Sequence, residues 1–173
     1  VTRDGATAVV VNDASCLIDL RKGQLLHVLV QLPYRLIIPL PVRASELISF
    51  TPQEWALLDA NVSVYDLTPT QVTEALAIKA SYPRLSVNDC FCLITAQHHE
   101  NTILLTGDGQ LRAVASASGQ RVHGVLWVLD ELKRHAICGD DILAVAAECW
   151  RDDPTVRLPP HELEGRLQQY RGK

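Results

Sequence analysis

The chain has 173 residues, 47% of them hydrophobic and 21% charged, with a formal net charge of −4. Such a length fits one domain with a sizeable core, and every apolar run is broken by Asp, Arg, Gln or Pro well short of the ~20 residues a membrane-spanning helix needs. The acidic balance is unlike that of a nucleic-acid binder working through overall basic charge, but cations held at an acidic site would cancel much of it, and Lys79, Arg84, Arg112 and Arg121 could supply a local basic edge.

Five cysteines (Cys16, Cys90, Cys92, Cys138 and Cys149) form an odd set without the C-x-x-C spacing of a zinc clip. They read as reduced, mostly buried small hydrophobes of a cytoplasmic protein. The opening residues Val1 to Gly5 have no signal-peptide character. There is no methionine, so Val1 is expected not to be the genetic start and a short leader to be missing.

In chain order, Val9 to Asn12 reads as a buried strand and Ala14 to Leu20 as the helix after it. Lys22-Gly23 interrupts that helix, and Gln24 to Gln31 continues helically. Arg35 to Ile38 is a second strand, closed by Pro39 and Pro41, with a helix over Arg43 to Ser49. Thr51-Pro52-Gln53-Glu54 carries the cap, first-turn proline and capping-box acid of a helix start. Val62 to Tyr65 alternates with β period, and Thr68-Pro69-Thr70-Gln71 opens the next helix, to about Ser81. Ser86 caps a helix through about His98, with Asp89 at the capping-box position. Ile103 to Leu105 is a buried strand, Asp108 to Ser116 a helix, and Val122 lies in a last strand. Val125 to Lys133, Asp140 to Cys149 and Pro160 to Tyr170 are further helical segments. Short apolar strands alternating with helices predict a three-layer α/β/α domain with a mainly parallel sheet. Residues 1–138 are read as the main domain and 139–173 as a helical extension packed on it.

Four carboxylates stand out against this background: Asp13 after the first strand, Glu46, Asp89, and Asp108 after Leu104-Leu105-Thr106-Gly107. In an open parallel sheet the carboxyl ends of the strands border one crevice, so acids far apart in sequence can meet there. Converging carboxylates repel one another unless a hard divalent cation sits among them, and a metal site of that kind points to a phosphodiester substrate. Each acid also has a plainer explanation, since acids favour helix N-termini: Asp89 as a capping-box residue, Asp108 as a cap. Asp13 resists it most, because it ends a run of buried valines where an unpaired charge is costly. If no cation is bound, like-charge crowding should raise the pKa of at least one of the four.

Asn12-Asp13-Ala14-Ser15, the segment from Pro41 to Glu46, Asn88-Asp89 with Ala96 beyond it, and Leu104-Leu105-Thr106-Gly107-Asp108 together resemble the PIN-domain ribonuclease pattern over about Val9 to Leu132. The stretch from Asp108 to Leu126 is most similar to a branch related to the VapC toxins of toxin–antitoxin modules. The resemblance implies a metal-dependent endoribonuclease in which Asp13, Glu46, Asp89 and Asp108 form the catalytic set and hold Mg²⁺ or Mn²⁺. Ser15, Thr106 and Arg112 are accessory polar groups. It further implies an RNA substrate, an antitoxin partner and a homodimer; no membrane partner is expected, because no apolar run is long enough to span one. Relatives in this branch often carry another acid where Gly107 stands, which would weaken a second metal position here. Two other readings stay open: a metal-dependent DNA nuclease or phosphatase on a similar sheet, and a non-catalytic PIN-like scaffold that binds RNA or protein.

Overall fold

A computed structural model of the protein describes residues 8–172. The expectations about Val1 and the opening segment concern positions outside the described residues. Five strands form one sheet in the order β3-β2-β1-β4-β5, and every neighbouring pair is parallel. The strands are β1 (Val9–Asn12), β2 (Arg35–Pro39), β3 (Val62–Tyr65), β4 (Thr102–Leu105) and β5 (Arg121–His123). Helices cover both faces, giving the three-layer α/β/α architecture. The physical reason lies in β1 and β4, which are buried at every position. Strands of that kind must be covered on both sides, whereas edge strand β3 buries only Val62 fully.

The chain builds outward from β1 to β2 and β3, then returns to place β4 on the other flank of β1. That reversal opens a crevice at the carboxyl ends of β1 and β4, the usual ligand position in open α/β sheets. Register places it closely: Asn12 pairs with Leu105, so Asp13 and Thr106 leave their strands side by side.

Between the strands run α1 (Ala14–Lys22), α2 (Leu26–Leu29), α3 (Leu40–Glu46), α4 (Pro52–Asn61), α5 (Pro69–Ser81), α6 (Val87–Gln97), α7 (Gly109–Ala117) and α8 (Val125–Arg134). The capping boxes at Thr51–Glu54, Thr68–Gln71 and Ser86–Asp89 all form. Several boundaries differ from expectation: α1 runs on to Lys22, α2 is confined to Leu26–Leu29, the helix opening at Asp140 extends to Asp152, and the one that bears on the site is α3. Helix α3 starts at Leu40 rather than Arg43, because Pro41 sits in its first turn, where a missing N–H leaves no hydrogen bond unmade. Glu46 is consequently the last residue of α3 and not an early one.

Two further helices, α9 (Asp140–Asp152) and α10 (Pro160–Arg171), pack on each other, and α9 also contacts α1 and α8. Trp150 fastens them. Its ring is 1% exposed within the single core cluster that spans strands and C-terminal helices alike. Its indole Nε1 donates to the Asp19 carbonyl of α1 at 2.6 Å. Gly23 makes this approach feasible, since a Cβ there would lie 2.8 Å from Nε1. All five cysteines are free thiols, with Cys16, Cys90 and Cys92 buried.

Candidate functional site

Asp13 is the centre of the candidate site. It caps α1 by position, immediately after β1, and is only 3% exposed. Its backbone N–H donates to the Leu105 carbonyl at 3.0 Å, tying the end of β1 to the end of β4. Two hydroxyls converge on one carboxylate oxygen, Oδ2: Ser15 Oγ donates to it at 2.6 Å and Thr106 Oγ1 at 2.7 Å. Each hydroxyl is held in turn by a backbone amide of the loop after β4. The Gly107 N–H donates to Ser15 Oγ at 3.0 Å, and the Asp108 N–H to Thr106 Oγ1 at 3.1 Å. The carboxylate is thus fixed through Oδ2, and Oδ1 lies outside the hydrogen bonds of the described residues.

The electrostatics are a contest. Burial pushes the Asp13 carboxyl from its ordinary 3.8 up to about 6; the Ser15 and Thr106 hydrogen bonds oppose the shift, and the charges of Asp89 and Glu46 add to it. Burial is the largest cause, so the expected rise from like-charge crowding occurs mainly for a different reason. The crowding is nonetheless present and names which acids share the neighbourhood. Asp13, Asp89 and Glu46 also all act on the buried Cys92 thiol beneath them.

Helix α6 delivers Asp89, whose Oδ2 accepts from the Ser86 N–H at 2.6 Å in the capping box. Helix α3 delivers Glu46, held by a short hydrogen bond from the Asn88 amide, whose nitrogen also reaches Ser45 Oγ at 2.9 Å. Asp108 caps α7 by accepting from the Leu111 N–H at 2.7 Å through Oδ1. Asp89 and Glu46 are the acids whose charges most raise the Asp13 pKa, and Asp108 stands in the loop after β4 as the cap of α7. Among the described residues no group of three or more His, Cys, Asp or Glu is preassembled to hold a metal ion. The cap roles explain this: Asp89 and Asp108 each commit one carboxylate oxygen to a helix N-terminus. The other oxygen of each remains. This all-oxygen donor set, together with the mutual repulsion felt at Asp13, suits a hard divalent cation.

Beside the acids lies a cleft of about 730 Å³, reached by Ser15, Thr106 and Gly107 but lined by none of the four carboxylates. Arg112 borders it, its Nη1 donating to the Thr106 carbonyl at 3.2 Å and lying across Gly124, where a Cβ would sit 3.3 Å from that nitrogen. Asp19, on α1 one turn beyond Ser15, is a functional candidate that sequence reasoning missed. Its carboxylate lies 4.0 Å from where a Gly107 Cβ would stand, and burial raises its pKa. Nothing in the sequence marks it, because it sits inside a helix, away from any strand end.

A PIN-domain family model matches residues 9–171. The chain belongs to the PIN-domain family. A search of curated proteins finds no match. PIN domains are generally nucleases that act on nucleic acid and typically use divalent metal ions. No described helix is long and apolar enough to cross a membrane.

Proposed function

We propose that this PIN domain is a metal-dependent endoribonuclease that hydrolyses RNA phosphodiester bonds in the cytoplasm and serves as the toxin of a toxin–antitoxin pair. The observation that carries this reading is Asp13: a buried carboxylate locked through one oxygen by two hydroxyls, at the switch point of a parallel sheet, with its other oxygen outside the hydrogen bonds of the described residues. Asp13, Asp89 and Asp108 would hold Mg²⁺ or Mn²⁺, with Glu46 completing the set or orienting the attacking water. The chemistry such a cation supplies when bound is neutralisation of charge on a phosphate oxygen and easier deprotonation of water. Ser15 and Thr106 keep Asp13 in one rotamer, so its Oδ1 faces the ligand without reorganisation. Arg112 is available to a phosphate flanking the reacting one. Residues 139–173 act as a helical extension of the 1–138 nuclease domain. A homodimer is part of the same proposal.

A second reading has an observation of its own. Asp89 and Asp108 both serve as helix caps, and Gly107 offers no acid, which suits a PIN scaffold that binds RNA or protein without cleaving. Incubation with single-stranded RNA and with DNA, with Mn²⁺ and with EDTA, decides among the readings. Mn²⁺-dependent cleavage of RNA alone supports the ribonuclease. Cleavage of DNA points to the DNA nuclease, and RNA binding without cleavage in either condition supports the scaffold.

A further inference from the structure

The cleft beside the acids has features the hydrolytic chemistry leaves unused. Its wall contains the stacked rings of His123 and Trp127, with centroids 4.8 Å apart and planes 15° from parallel. Tyr34 extends the stack behind Trp127, 5.6 Å away at 32°. The His123 pKa is lowered, first by burial and then by Arg112 and Arg121, so the ring is neutral at pH 7 and offers an aromatic face with ordinary hydrogen-bonding edges. The lining also includes the segment joining α9 to α10, where Arg157 is exposed and has no hydrogen-bond or ion-pair partner among the described residues. The other cations are differently placed: Arg166 is paired with Asp130 at 2.7 Å, and Lys22 bonds Thr155 Oγ1 at 2.6 Å. The free positive charge of the cleft is therefore concentrated on Arg157 and the remaining guanidinium nitrogens of Arg112. Asp19 contributes a carboxylate near Ser15 and Gly107 that feels the Lys22 charge but makes no hydrogen bond or salt bridge among the described residues.

We infer that this cleft receives one unpaired nucleotide of the RNA strand, next to the scissile phosphate: the base lengthens the aromatic column at His123 and Trp127, Arg157 and Arg112 take the flanking phosphate, and Asp19 accepts from a ribose hydroxyl or a base amino group. The inference rests on the ribonuclease reading for its choice of ligand, and it adds a base-holding subsite built partly by the C-terminal extension. Three features point to a nucleotide rather than a lone phosphate or a peptide. The cleft pairs a flat ring surface with an unpaired guanidinium, the combination that binds single strands with little sequence preference. Its volume of about 730 Å³ exceeds what a lone phosphate would fill. Its lining includes Ser15, Thr106 and Gly107, the residues that clamp Asp13, so a strand lying in it runs beside the acids.

The test uses the full chain in EDTA, to withhold any divalent cation, and fluorescence anisotropy of labelled hexaribonucleotides in which a single abasic residue is walked along the strand. The expected result is that one abasic position weakens binding about tenfold, within the range of a lost base–aromatic stack. His123→Ala and Arg157→Gln should each weaken the intact hexamer, and in His123→Ala the abasic penalty should disappear. A matched oligodeoxynucleotide should bind less tightly, because the acceptor at Asp19 loses its hydroxyl. Equal penalties at all abasic positions, or equal weakening by Arg151→Gln outside the cleft, would overturn the subsite and leave only diffuse charge attraction. Failure of the ribonuclease reading looks different: one-position abasic sensitivity in EDTA with no cleavage in Mn²⁺ supports the subsite and refutes the hydrolysis alone.

Discussion

At Asp13 three forces act on one carboxyl, and their balance makes a measurable prediction. Two hydroxyl donors stabilise the anion while burial and the neighbouring acids oppose it, and burial wins, leaving the pKa at about 6 against an ordinary 3.8. Because the folded-state value is the higher one, the folded protein binds this proton more tightly than the unfolded chain. The contribution of Asp13 to metal-free stability therefore grows as pH falls from 7 towards 4 and is lost as pH rises through about 6, against the opposite trend from Glu54, Glu131 and Asp153, whose pKa values are lowered. The full effect is roughly 3 kcal/mol at pH 7. Urea denaturation in EDTA across that range measures it. In Asp13→Asn the pH dependence in this window should shrink, leaving the smaller contribution of Asp19, whose pKa is also raised; stability at pH 7 should rise by about 1–3 kcal/mol, and Mn²⁺-dependent RNA cleavage should be lost. A variant that unfolds, or that cleaves fully, makes Asp13 a structural cap. Gly107→Asp is the complementary change: a Cβ there meets nothing nearer than Ser15 Oγ at 3.5 Å, so the fold should accept it. The added carboxylate should tighten Mn²⁺ binding several-fold in a calorimetric titration; unchanged affinity would mean Gly107 is no deficit. Asp13 was legible because a charge ending a run of buried valines needs a reason. Asp19 was not, because its setting comes from Gly107 and the charge of Asp153, far away in the chain.

The same division holds for whole elements. Helices that begin on a Ser or Thr cap with an acid or amide three residues on were readable because the signal is local and both hydrogen bonds form within four residues. Helix α3 was misplaced because Pro41 serves equally as a strand terminator and a first-turn residue, and only packing against β2 and α6 decides between them. The attachment of α9 to α1 carries no local signal either. It depends on Gly23 leaving room for an indole 127 positions later, and on a carbonyl of α1 accepting from it. Gly23→Ala should drive a methyl into Trp150 and cost about 1–3 kcal/mol, visible as a lowered denaturation midpoint. Trp150→Ala should cost more, about 3–5 kcal/mol, by opening a cavity in the shared core. Hydrogen exchange in Trp150→Ala separates two modes of failure: faster exchange confined to α9 and α10 means a detachable extension, and uniform acceleration means one cooperative unit.

At the scale of the whole molecule, the parallel sheet and its switch point were predictable from the alternation of apolar strands and helices, and they determine where chemistry can occur. What the chain order alone could not supply is how the acids divide across the crevice, with Asp89 and Glu46 acting on Asp13 from the α6 and α3 side and Asp108 capping α7 beyond β4. An arrangement held apart by repulsion and by helix caps should tighten when a divalent cation binds. Ligand binding to the folded state alone stabilises it by about 2.7 kcal/mol at a hundredfold excess over Kd. Mn²⁺ should accordingly raise the thermal midpoint of the wild-type protein by several degrees, and more at pH 7 than at pH 5, where protons compete for Asp13. The shift should be abolished in Asp13→Asn and reduced in Asp89→Asn and Asp108→Asn. Equal shifts in wild type and Asp13→Asn would place the bound cation elsewhere on this acidic chain. A shift lost in Asp89→Asn but kept in Asp108→Asn would confine the metal to the Asp13–Asp89–Glu46 side of the crevice and leave Asp108 as the cap of α7.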